Sequence, residues 1–249
     1  MTWPDALLLF AAGIGAGLSG SIAGLASLFS YPALLAVGLP PLTANVTNTV
    51  ALTFSGLGSV IGSRPELRGQ NRRRLTIFAT TAIAGGIGGS LLLILTPADA
   101  FERLIPFLIA LASAAILVPR CRTDGHHVGG DPWWLLPAIF GIGVYSGYFG
   151  AAAGVLLLAL FLIATSDTLA SCNAVKNLIV GTSNGVAAII FAVSSHVDWV
   201  AVPPLAIGLF IGSLCGPVIV RHSPVRLLRC LIAIAGVGLA IRLGLQEYA

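Results

Sequence analysis

Gly13-Ile-Gly-Ala-Gly-Leu-Ser19-Gly20-Ser21-Ile-Ala-Gly24 lies inside a run, Ala6 to Ser63, that holds no Asp, Glu, Lys or Arg. That run is far longer than the roughly 20 apolar residues needed to cross a bilayer, and its glycines are too closely spaced for one undisturbed helix. A second stretch of the same kind, Gly141-Ile-Gly-Val-Tyr145-Ser146-Gly147-Tyr148-Phe-Gly150-Ala-Ala-Ala-Gly154, sits within the charge-free run Pro132 to Ser166. Leu75 to Ala98, Leu104 to Pro119 and Trp199 to Val220 are equally free of charge. The pattern predicts an all-α integral membrane protein with several passes.

Composition agrees. The 249 residues are 57% hydrophobic and only 9% charged, with a mean hydropathy of +0.97, too few charges to coat a soluble fold. The N-terminus, Met1-Thr2-Trp3-Pro4-Asp5, has no basic region before its apolar run, so no cleaved signal is expected. Cys121, Cys172, Cys215 and Cys230 stand alone, without a CxxC pair, which argues against a disulfide framework or a zinc site. A net charge of +4 does not point to nucleic acid, because the arginines cluster beside apolar segments, where orientation signals belong. His126, His127 and Asp124 share a polar loop without a metal-ligand constellation, and His196 and Asp198 read as ordinary loop polarity.

Eight apolar segments follow one another: about 5–39, 42–63, 75–95, 101–118, 133–165, 169–195, 199–220 and 226–245. They divide four and four about a polar linker, giving a first repeat at 1–118, a cytoplasmic linker at 119–132 and a second repeat at 133–249. The Gly13 and Gly141 motifs align at an offset of about 127; Val46-Thr47-Asn48 then matches Val175-Lys176-Asn177, Ser55-Gly56 faces Asn184-Gly185, and Ile87-Gly88-Gly89-Ser90 resembles Ile211-Gly212-Ser213. Duplication is the economical explanation.

Lys and Arg accumulate in short cytoplasmic loops. If every segment crossed once, the basic residues outside the membrane would split eight to four; if segments one and five enter and return as broken hairpins, they split ten to two. The second arrangement is preferred. It leaves three full crossings in each half, so the repeats are inverted relative to each other.

Lys176, the only lysine, stands within the apolar stretch Thr168 to Val197. A lysine at bilayer depth costs roughly 2.5–3.5 kcal/mol on insertion scales, so it faces a cavity or a partner. Apart from Asp5 and Glu102 at segment ends, no carboxylate lies within the spans, which makes an incoming anion the natural partner; snorkelling to an interface is the alternative. Asn173 and Asn177 flank it, and the first half offers Asn45, Thr47, Asn48 and Thr49. Such groups donate to oxyanions without adding charge, or simply join helices. The glycines have two readings of equal weight. Breaks at membrane depth expose helix N-termini to an anion, whereas Gly13/Gly17, Gly20/Gly24, Gly143/Gly147 and Gly150/Gly154 all have the spacing of close helix packing. The GxGxxG at Gly15 to Gly20 has no strand before it or acid after it, so no nucleotide cofactor is read from it.

The Gly-rich first segment leading to Tyr31-Pro32-Ala-Leu-Leu, then Ala44-Asn-Val-Thr-Asn48, repeated as Gly147-Tyr-Phe-Gly150-Ala-Ala-Ala-Gly154 and Asn173-Ala-Val-Lys-Asn177, resembles the TauE/SafE family of sulfite exporter-type permeases over essentially the whole chain. Gly20-Ser21-Ile-Ala-Gly24 departs from the commoner Gly-Gly-Gly form of the first motif. The resemblance implies a carrier in the bacterial inner membrane that exports sulfite or a related organosulfonate-like anion, without a cofactor or metal. The expected substrate-binding set is Lys176, Asn177, Asn48, Asn173, Thr47, Ser19, Gly20, Ser21, Tyr148 and Gly150. A passive anion channel is the alternative, with a purely structural or assembly role behind it; the partners expected are the anionic substrate, the lipid bilayer and, in a homo-oligomer, further copies of the chain. A membrane enzyme would need paired carboxylates, a metal cluster or a nucleophile with its base inside the spans, and the sequence offers none.

Overall fold

The computed structural model describes residues 1–104, 107–108 and 131–222. In chain order the helices are α1 (Trp3–Ala23), α2 (Ala26–Ala36), α3 (Pro41–Gly62), α4 (Arg64–Arg68), α5 (Arg72–Leu95), α6 (98 onward, described to 104), α7 (Leu135–Tyr148), α8 (Ala153–Ala164), α9 (Leu169–Ser194) and α10 (Val202–His222). No strand occurs among the described residues. α1, α5, α9 and α10 are long and apolar enough to cross a bilayer. The expected linker, apart from residues 131–132, most of the 101–118 segment and all of the 226–245 segment lie outside the described residues, and with them Asp124, His126 and His127.

Both long segments break, as their glycines predict. At the end of α1, Gly24 adopts φ +81°, and its N–H returns to the Gly20 carbonyl at 2.7 Å. This is a left-handed cap that an L side chain enters only with strain. α2 then has just 11 residues, a length of about 16 Å, too short to span. Between α7 and α8 the chain turns through Phe149 to Ala152, with Gly150 at φ +73° and Ala152 at φ +60°. The Phe149 and Gly150 amides both donate to the Tyr145 carbonyl at 3.0 Å. The Tyr145 hydroxyl donates to the Ala151 carbonyl at 2.7 Å, clamping the turn to the helix before it.

The helices of the expected first and second repeats pack crosswise. α1 of the first half lies along α10 of the second, and α7 of the second lies along α5 of the first. A Cβ on Gly13 would meet Leu205 and Leu209 backbone, and one on Gly17 would meet Leu209 and Ser213 backbone. Gly85 and Gly89 of α5 press in the same way on Phe140, Val144 and Tyr148. Residue numbers rise together along both contacts, so each pair runs parallel. Bare glycine faces let the backbones approach, which is how helices associate where lipid supplies no hydrophobic drive. α3 and α9 meet at the centre, Gly56 against Gly181.

One aromatic group fills the space beside the breaks: Tyr31 and Phe149 ring centroids are 5.6 Å apart, Phe101 and Tyr148 6.0 Å, and Phe101 and Phe149 6.2 Å. At the other end of the bundle the helices are tied by ions. The Arg74 guanidinium reaches Asp131 at 2.7 Å and Asp167 at 2.8 Å, and Arg221 reaches Glu66 at 2.7 Å.

Candidate functional site

Helix α9 starts at Thr168, whose hydroxyl accepts the Ser171 amide, and two turns later it carries Lys176 into the protein with only 1% of its surface exposed. The Lys176 Nζ donates to the Gly20 carbonyl at 3.0 Å and to the Ser21 carbonyl at 3.2 Å. The Nδ2 of Asn173 and of Asn177 donate to the same Ser21 carbonyl at 3.0 and 3.3 Å. These oxygens belong to the last turn of α1, the negative end of its dipole, so the break itself compensates the ammonium. From the residues alone an incoming anion was the expected partner; the α1 carbonyls are a built-in one. Three α9 donors converge on one oxygen that has two lone pairs.

Beside the amine lies a cavity of about 40 Å³, room on the order of three water-sized groups. Leu52, Ser55, Gly56 and Ser59 of α3 line one wall, and Asn177, Val180, Gly181 and Asn184 of α9 line another. Each set recurs at i, i+3, i+4 and i+7, one face of a helix. The breaks close the remaining sides through Gly20 and Gly24 of the first and Gly150 and Gly154 of the second. The backbone at Gly24 and that at Gly154 touch, so a Cβ on either would collide with the other. Ala26 and Ser27 open α2, Gly154 lies in the first turn of α8, and neither helix has a side-chain cap. Two positive helix ends therefore border the cavity that Lys176 also lines. None of the described lining residues is acidic.

The motif glycines fall into two groups by their surroundings. Gly13, Gly17, Gly143 and Gly147 carry helix packing, whereas Gly20, Gly24, Gly150 and Gly154 shape the cavity. Of the other nominated residues, Lys176 and Asn177 line it directly. Asn173 and the Ser21 carbonyl stand one contact behind them. Ser19 turns its hydroxyl back to the Ala16 carbonyl. The Thr47 hydroxyl accepts the Asp198 amide at 3.0 Å, away from the cavity. Asn48 is 1% exposed with its Oδ1 unpartnered. Tyr148 offers its carbonyl to Asn45 Nδ2 at 3.0 Å and packs its ring against Phe101.

Asn45 and Asn173 perform matching tasks: each sits on a central helix of one half and donates to the last turn of the broken helix of the other. The sequence alignment at Val46/Val175 sets Asn45 opposite Ala174, one residue out of step with these bonds. Ser27, Ser55, Ser59 and Asn184 also line the cavity; the helical spacing of Ser55/Ser59 and Asn177/Asn184 is the sequence signal for three of them, and Ser27 has none. Asn184 accepts from Ser146 Oγ at 3.2 Å through Oδ1, leaving its amide hydrogens as donors.

Comparison with known proteins gives a consistent result. The family described as sulfite exporter TauE/SafE matches residues 9–243. The probable membrane transporter protein YfcA of Escherichia coli strain K12 is 28% identical over 240 residues, covering 95% of this chain and 88% of that protein. The probable membrane transporter protein ORF9 of Sinorhizobium sp is 30% identical over 238 residues, covering 94% and 90%. A probable membrane transporter protein of Haemophilus influenzae is 24% identical over 230 residues, covering 91% and 89%. No solved structure matches.

Proposed function

This chain belongs to the TauE/SafE sulfite exporter family, and from that premise we propose that it carries a small oxyanion, sulfite or a related organosulfur anion, out across the bacterial inner membrane. One observation carries the reading: a fully buried ammonium, Lys176, beside a cavity with no acidic lining residue, walled by the breaks of two interrupted helices. The anion takes the Lys176 amine, the Asn177 amide, the hydroxyls of Ser27, Ser55 and Ser59, and the backbone amides of Ala26, Ser27 and Gly154 at the starts of α2 and α8.

Binding redirects donors. An anion in the cavity competes with the Ser21 carbonyl for Lys176 and Asn177, while Asn173 keeps that carbonyl satisfied. The end of α1 is thereby loosened when substrate arrives, which links occupancy to motion of a hairpin. The two halves are read as inverted repeats, a reading supported by the crosswise parallel pairs and by the matching tasks of Asn45 and Asn173; rocking of one half against the other then alternates access. An inside-negative potential favours anion exit by roughly 2.3 kcal/mol per charge per 100 mV, so no coupling carboxylate is required.

The test is sulfite efflux from liposomes. Lys176→Met, folded and monodisperse, is expected to lose about 100-fold or more in flux, a loss of roughly 2.7 kcal/mol. Efflux equal to wild type would overturn the assignment.

A further inference from the structure

Five arginines crowd the connection between α3 and α5 and the first turn of α5, and they are not used alike. Arg74 is half-buried and holds two carboxylates. Arg64, Arg68, Arg72 and Arg73 are exposed and form no ion pair among the described residues, while Glu66, the one acid between them, is taken by Arg221. Orientation in the membrane explains positive charge here, but not its position relative to the cavity. Helix α4, which carries Arg64 and Arg68, packs on α9. The residue before Arg64, Ser63, is 1% exposed and its Oγ accepts the Asn177 Nδ2 at 3.3 Å. Ser63 lies one turn beyond Ser59, itself one turn beyond Ser55, and all three are buried. A file of hydroxyls at i, i+4 and i+8 thus runs from the cavity wall to the foot of the arginine patch.

We propose that Arg64 and Arg68, backed by Arg72 and Arg73, form a second, shallow oxyanion site that receives the substrate on the arginine-bearing face and passes it along Ser63, Ser59 and Ser55 to the cavity. This rests on the transport reading above. Guanidinium forks suit oxyanions, and a basic patch at a mouth raises local anion concentration and on-rate in a salt-dependent way. An anionic lipid headgroup offers the same chemistry, so the test must separate the two.

The measurement is the initial rate of sulfite transport into proteoliposomes of scored orientation, with the arginine face outward. Arg64→Gln/Arg68→Gln is the probe, since Arg72 to Arg74 remain to hold orientation. At about 20 mM salt the double variant is expected to show kcat/KM about fivefold below wild type with kcat within twofold, the gap closing at about 0.5 M salt. Arg64→Lys/Arg68→Lys should restore most of the loss, and the result should be the same in purely zwitterionic vesicles. Wild-type kcat/KM in the Gln pair, or a salt-independent fall in kcat, would overturn the site. A loss confined to vesicles containing anionic lipid would make it a headgroup contact and overturn it equally. Lys176→Met run alongside separates the two readings: if it abolishes transport while the Gln pair is normal, only this inference fails; if it transports normally, both fail.

Discussion

A single backbone oxygen, that of Ser21, receives Lys176, Asn173 and Asn177. A hydrogen bond shared three ways at one acceptor is weak in at least one arm, and Asn177, at 3.3 Å, is the longest. Asn177→Ala loses this arm and the 3.3 Å bond to the buried Ser63 hydroxyl, and is expected to destabilise by about 1 kcal/mol while raising KM about tenfold. Asn173→Ala removes the shorter bond, made behind the cavity, and should destabilise by about 1–2 kcal/mol with a smaller effect on KM. Thermal denaturation in detergent and flux measured on the same preparations would distinguish the two. How far such a site is legible in sequence follows from what makes each residue unusual. One lysine in a charge-free segment is a physical anomaly, so Lys176 was plain, and its neighbours on the same turns came with it. Thr47 and Ser19 looked identical in kind to Ser55 and Ser59; only the rotation of each helix decides which hydroxyl meets the cavity and which turns to a carbonyl or to the Asp198 amide.

Among the elements, the interrupted helices α1/α2 and α7/α8 were readable because glycine density reports a break wherever charge is absent. Their end conformations were not, since Ala152 holds a left-handed φ of +60° that no alanine advertises. The packing partners were also hidden: glycine at i and i+4 says that something approaches, not that α1 meets α10 rather than α3. Two substitutions in the same helical hairpin separate the roles. Gly24→Ala would place a Cβ on the Gly154 backbone at a positive φ, and is expected to cost about 3 kcal/mol or more, seen as loss of monodisperse protein on size exclusion. Gly15→Ala meets nothing within 4 Å and should hold or raise the melting temperature, by up to about 1 kcal/mol in helix preference.

For the molecule as a whole, the arginine-bearing end is fastened by Arg74 with Asp131 and Asp167 and by Arg221 with Glu66. Partial burial acts to raise the Glu66 carboxyl, but hydrogen bonds from Arg221, its own backbone and the Arg221 charge outweigh it and hold it below the usual 4.5. A depressed carboxylate stabilises the fold above its unfolded value, and that contribution fades as pH falls from about 4.5 through the folded value. Glu66→Gln should thus melt about 2 °C below wild type at pH 7 and converge with it in acid; a gap that persists at the lowest pH where both fold would exclude the ion pair as its cause. The crosswise pairing has a further consequence, for biogenesis. As the ribosome delivers the chain, α1 and α5 reach the bilayer with their glycine faces bare, because the helices that cover them have not yet been made. Close backbone packing of α1 and of α5 can therefore form only after synthesis has reached α10 and α7.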